Sequence, residues 1–183
     1  VEPVSHPLLT HIGFLLYLIR HKWYVFQACR LFGVPLRQAL LHDWSKFTPA
    51  EWLPYTRHFR YLPLHWLVMG NVGTIYRRGD DPAFDQAGER HWRQNPHHWQ
   101  HWCRCGADGT LQPLPIPDNY AREMVADWIG ASKAQGNRDI VGWYAANRAQ
   151  IILHPQTRCL VEHLLDVAQE RGLIEAPALQ EQH

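Results

Sequence analysis

Apolar side chains in this sequence recur three and four residues apart, and no stretch alternates apolar with polar for long. That spacing lays an apolar stripe along an α-helix, whereas a half-buried strand needs a period of two. The chain is therefore expected to be all-α. A first helix is predicted from about Pro7 to Phe32, with Ser5 near its cap and Gly33 at its end. Along it Leu8, Ile12, Leu15, Leu16, Ile19, Trp23 and Phe26 form a stripe expected to face a core. A shorter helix from about Pro35 leads into His42-Asp43. Thr48-Pro49-Ala50-Glu51 then reads as a capping box, with Glu51 reaching back to the cap amide of Thr48. Asn71 to Asp85 reads as a loop, Gln86 to Trp102 as a helix kinked at Pro96, and Gly106 to Pro117 as a connector. Helices over Asp118–Ala134, Asp139–Ile152 and Gln156–Arg171 complete a single compact domain of about six or seven helices over residues 1–183.

A formal charge of +1 offers no basic field for a duplex nucleic acid. The longest apolar run, Ile12 to Ile19, is interrupted by Gly13 and is too short to cross a bilayer, so no membrane partner is expected. Four scattered cysteines and an opening without a basic-then-apolar leader make a reducing cytoplasm the expected compartment. The apolar first helix would serve a homodimer interface as readily as a core.

Thirteen histidines stand out, because imidazole is the commonest transition-metal ligand. His42 and Asp43 are adjacent, so both can ligate one cation only where the backbone bends, and a helix break follows closely. His21 lies mid-helix in an apolar segment and needs a partner, which a satisfied core histidine also finds. His91 and His98 are two helical turns apart and are the preferred pair, ahead of His97, which shares another face with His101. Glu123 and Asp127 fall on a helix that also buries Met124; there they meet a cation or, on an exposed face, Arg122 or Lys133.

Taken in order, His21, His42-Asp43, His91, His98 and Asp127 resemble the HD superfamily of metal-dependent phosphohydrolases. Its pattern is a His, a His-Asp pair and a distant Asp; members with two further histidines between bind two metals. His42-Asp43-Trp44-Ser45-Lys46 is similar to the His-Asp-x-x-Lys variant, whose lysine meets an anionic or polyol substrate. Over residues 17–130 the chain also resembles an uncharacterised family of bacterial and phage proteins. The matching strings are His21 with Tyr24-Val25, His42 to Phe47, Asn95 to Trp99, and Glu123 to Trp128.

The resemblance implies one or two divalent transition metal ions on His21, His42, Asp43, His91, His98 and Asp127, with Asp43 bridging. Mixed imidazole and carboxylate donors suit Fe, Mn, Zn, Co or Ni. Lys46 is then expected to neutralise a phosphate oxygen, with Arg20, Arg90 or Arg122 as further cations. Glu123 would orient a ligand histidine or act as a general acid. The expected activity is hydrolysis of a small phosphoester or nucleotide, with Trp44, Trp99 and Tyr120 available to stack on a base. Two alternatives stay open. One is a di-iron oxygenase acting on a small polyol or phosphonate. The other is a non-catalytic zinc site of His97, His101, Cys103 and Cys105, although Cys-x-Cys is tight for a chelating knuckle.

Overall fold

The computed structural model describes residues 7–59, 81–136 and 139–175. Among them are seven α-helices: α1 (Pro7–Leu31), α2 (Leu36–Leu41), α3 (Pro49–Phe59), α4 (Pro82–Gln94), α5 (Asp118–Ala134), α6 (Ile140–Asn147) and α7 (Pro155–Glu170). Single 3-10 turns lie at Trp44–Phe47 and Trp99–Trp102. The all-α expectation holds apart from one short antiparallel hairpin, β1 (Cys103–Cys105) on β2 (Leu111–Pro113). Three residues per strand are too few to show a period in the sequence. The expected loop from Asn71 lies outside the described residues up to position 80, as does Ser5. Beyond it α4 begins earlier than expected, because the Asp81 side chain accepts from the Phe84 amide and Pro82 fills the first helical position.

Helices α1 and α5 make the principal contact, and α5 also packs on α7, while α3 bridges α1 and α4. Met124, Val125, Ala126 and Ile129 of α5 bury against Val25, Ala28, Cys29 and Phe32 of α1. Each large side chain buried this way contributes about 1.5–3 kcal/mol. A second apolar cluster gathers Phe14, Tyr17 and Leu18 with Ala134. The Arg122 guanidinium donates to the Phe32 carbonyl at 2.8 Å and so caps the end of α1; this removes Arg122 from the substrate-binding cations expected above. Gly33 follows at φ +71°, the left-handed conformation that ends many helices.

The predicted core stripe of α1 faces outward except at Phe26, which packs against the core. Leu8, Ile12, Leu15, Leu16, Ile19 and Trp23 are between 37% and 61% exposed, while Phe14, Tyr17, Leu18, His21 and Val25 are buried. The helix is apolar almost all round, so two interleaved series satisfy the same spacing. The series carrying His21 is buried because α5 offers it small residues, Ala126 and Gly130 among them. No helix among the described residues is long and apolar enough to cross a membrane.

The α1–α5 seam depends on Gly130. A Cβ added there would lie 2.8 Å from the Val25 backbone nitrogen, closer than any side chain can yield. Gly130→Ala is expected to destabilise the protein by about 1–3 kcal/mol, the overpacking cost exceeding the gain in helix propensity. Chemical denaturation checks this; an unchanged midpoint would show that the two backbones can separate freely.

Candidate metal centre

His42 and Asp43 follow α2, where the chain turns sharply. His42 is extended and Asp43 takes the left-handed conformation, φ 56° and ψ 24°, the only non-glycine to do so among the described residues. Aspartate tolerates that region better than most residues. The bend lets both side chains point into the same buried space. Lys22 fastens it from α1, donating to the carbonyls of Leu40 and His42.

The structure brings all six predicted ligands together, with Asp43 at the centre. One oxygen, Oδ2, faces His21 Nε2 at 3.2 Å and His42 Nε2 at 3.5 Å. Asp127 Oδ1 lies 3.2 Å from both of those nitrogens. These four ligand atoms lie within 4.8 Å of one another; we call this the Asp127 position. The other oxygen, Oδ1, lies 3.1 Å from His91 Nε2 and 3.4 Å from His97 Nε2. Asp43, His91, His97 and His98 form a second set of the same compactness, the His98 position.

His97 and His98 therefore belong to one set, and the choice between them dissolves. The reason is Pro96. It does not kink a long helix but ends it: α4 stops at Gln94, Asn95 caps it, and the chain turns so that His97 and His98 both face His91. The helical spacing argument for His91 with His98 fails although the two rings meet, 4.8 Å between centroids. The zinc set of His97, His101, Cys103 and Cys105 does not gather. His101 Nδ1 donates to the Arg93 carbonyl at 2.6 Å, Cys103 turns to the Trp99 and Ile152 carbonyls, and Cys105 is exposed. No cysteine joins any group of metal-binding geometry among the described residues.

Two glutamates orient the histidines of these sets. His42 Nδ1 donates to Glu123 Oε1 at 2.9 Å, and Gln38 steadies Glu123 Oε2 at 2.6 Å. His91 Nδ1 donates to Glu51 Oε2 at 2.8 Å, which also accepts from Ser45 at 3.1 Å. Asn95 ties Ser45 into the same group. With Nδ1–H held by a carboxylate, each ring presents Nε2 inward, the arrangement that metal-bound histidines adopt. Glu51 was expected to close a capping box, but its side chain goes to His91, and the Thr48 amide bonds to the Ser45 carbonyl instead. No sequence signal marks this role: Glu51 is 1% exposed, and no spacing rule reveals that. Glu51→Gln is expected to weaken metal binding at the His98 position by about 10–100-fold. Competition against a chromophoric chelator measures this; an unchanged affinity would reduce Glu51 to packing.

The electrostatics follow from two buried carboxylates set among histidines and Lys46. Burial works against charge on His42, but the Asp43 carboxylate, with Asp127 and Glu123, overrides it and pushes the imidazole up to about 10. Asp43 is buried too, yet His42, Lys46 and His91 hold it well below the usual carboxylate range. Burial lowers His97 and His98, each further lowered by a neighbouring histidine, which favours the neutral form of both. Asp43 Oδ1 and the Nε2 atoms of His91, His97 and His98 are buried without a hydrogen-bond partner. An uncompensated buried polar atom costs about 1–3 kcal/mol, and four converging on one point are what an ion would satisfy. At the Asp127 position the unpartnered atom is Nδ1 of His21, on the ring's other side.

Lys46 Nζ contacts Asp43 Oδ2 and lies 5.8 Å over the Tyr55 ring. A cleft of about 410 Å³ opens beside the centre, where Arg37, Gln38, Asn95 and Tyr120 surround His42, Asp43, His97 and Glu123. Arg37 is the cleft's cation, a residue the sequence did not mark. Trp44 projects outward, 62% exposed, and Trp99 packs against the core, so neither stands beside the cleft.

The sequence model of a family of unknown function (DUF5662) matches residues 10–167, and the chain belongs to that family. No curated protein and no solved structure matches it.

Proposed function

We propose that this member of the family is a metal-dependent phosphohydrolase acting on a small phosphoester, nucleotides included. The observation that carries the reading is Asp43, which turns one oxygen to each of two ligand sets containing His21, His42 and Asp127 on one side and His91, His97 and His98 on the other. Five imidazoles with two carboxylates suit Fe, Mn, Zn, Co or Ni rather than magnesium or calcium. Such ions would bring the pKa of a water towards neutrality and polarise a phosphoryl oxygen.

The chain's own residues supply the rest. Arg37 brings a positive charge to the cleft and Tyr120 an aromatic wall, a pairing that suits a phosphate carried on a ring. Lys46 neutralises Asp43 in the metal-free protein; it does not line the cleft, and it would reach a phosphate oxygen only by leaving Asp43 once that carboxylate is otherwise engaged. Glu123 keeps His42 in register and stands at the cleft, placed to exchange a proton with a departing group. Four unpaired cysteines fit a reducing, cytoplasmic setting.

The test is metal analysis of protein purified with and without air, joined to a panel of nucleotides and generic phosphoesters. Zinc, manganese or another divalent ion at one or two per chain, with hydrolysis lost in His42→Ala, is the expected result. Iron with a mixed-valent optical signature, oxygen uptake and no phosphoesterase would move the assignment to the oxygenase class. Full hydrolysis in His42→Ala would end the proposal.

A further inference from the structure

We infer that the two positions take ions unequally and in a set order, the His98 position first and the Asp127 position only as Lys46 is displaced from Asp43. This rests on the proposed metal centre and distinguishes the half that retains an ion from the half that responds to supply.

The two ligand sets differ in what an arriving ion must undo. At the His98 position Asp43 Oδ1 and the Nε2 atoms of His91, His97 and His98 make no aligned hydrogen bond, and the His91–Asp43 ion pair is what an ion displaces. His91 and His97 lie 3.1 and 3.4 Å from that oxygen, without the alignment of a hydrogen bond. Glu51 already fixes the His91 ring from behind, so this half is pre-organised. Four buried donors, three of them imidazole, wait around one point.

At the Asp127 position the donors are spent on one another. His21 Nε2 bonds to Asp43 Oδ2 at 3.2 Å, and His42 Nε2 bonds to Asp127 Oδ1 at 3.2 Å. The same Asp43 Oδ2 also carries the Lys46 ammonium, which is only 15% exposed and stands over Tyr55. An ion entering here breaks both hydrogen bonds and displaces a resident positive charge. It also arrives beside an ion already held by the other oxygen of Asp43, and like charges at that separation repel. Lys46 thus acts as a counter-ion whose retreat sets the metal concentration at which the second position fills.

The full chain, stripped by chelation, is titrated with Co²⁺ and followed by visible absorption and calorimetry. Two steps at least tenfold apart in affinity are expected, the tighter one giving the spectrum of an imidazole-rich centre. His98→Ala should abolish the tight step and keep the weak one, while Asp127→Asn should do the reverse. Lys46→Met should bring the weak step at least tenfold nearer the tight one and leave the tight one in place. If Lys46→Met does not fold, the other two variants decide the order between them. Two steps of equal affinity, or a second step that Lys46→Met leaves unmoved or weakens, would overturn the order while the metal centre stands. Absence of any Co²⁺ binding would overturn the centre and the order together.

Discussion

Asp43→Asn is expected to strip both ions from the centre in one step and to lower phosphoester hydrolysis by at least about a thousandfold, the several kcal/mol that metal assistance supplies. The loss is double because Asp43 is the only residue shared by the two four-residue ligand sets. Variants of one-sided ligands, His98 or Asp127, should each cost a single ion. Asparagine keeps the size of aspartate and accepts the left-handed backbone at this position, so the helical circular dichroism should persist. In the metal-free protein the change leaves Lys46 and His42 without their shared partner, which costs about 3–5 kcal/mol for a buried charge cluster. Metal analysis of the folded variant decides the matter. Two ions retained in Asp43→Asn would mean that the histidines bind without a bridge.

The second large effect is on stability. An ion present at a thousand times its dissociation constant stabilises the fold by about 4 kcal/mol. For a chain of this size that corresponds to a rise in melting temperature of roughly 8–16 °C. The gain should grow with pH, because binding requires the proton on His42, whose pKa is pushed up to about 10, to leave.

The metal-free protein should behave differently. His42 and His91 are raised in the fold, so their contribution is complete below about pH 6.5 and declines as pH rises, for His42 through about 10. His97 and His98 are lowered, so their contribution is lost as pH falls below about 6.5. Asp43 and Asp127, both held low, add a further loss in acid. Stability without metal should therefore peak near neutrality, while the added stabilisation by metal climbs past it. Melting curves across pH, with and without chelator, test both slopes. A metal-induced gain that shrinks as pH rises from 6 to 8 would contradict proton-linked binding.

Much of this centre was legible because its residues are chemically costly where they lie. His21 within an apolar helix, Asp127 beside Met124, and the His42-Asp43 pair before a helix break each announce themselves by local context. Helix positions were also readable from spacing and caps, and α5 over Asp118–Ala134 matches its expected limits. The failures share one cause: they depend on what lies opposite. Which face of α1 turns inward is decided by Ala126 and Gly130, about a hundred residues away. Glu51 satisfies a capping pattern locally but is claimed by His91, forty residues on. Pro96 reads locally as a kink, but the helix ends just before it, and that is what delivers His97 as well as His98. Arg37 gains meaning only through the cleft, which no linear pattern contains.

The left-handed turn at Asp43 has a consequence for the alphabet available at that position. Two independent filters act there. The backbone admits glycine, asparagine and aspartate with little strain and resists branched or bulky residues. The chemistry demands a short anion with two oxygens to divide between two neighbours. Glutamate passes the second filter in charge but is a methylene too long, and asparagine passes only the first. Their intersection is a single amino acid, so a dipeptide that carries little information in an arbitrary sequence carries a great deal in this one.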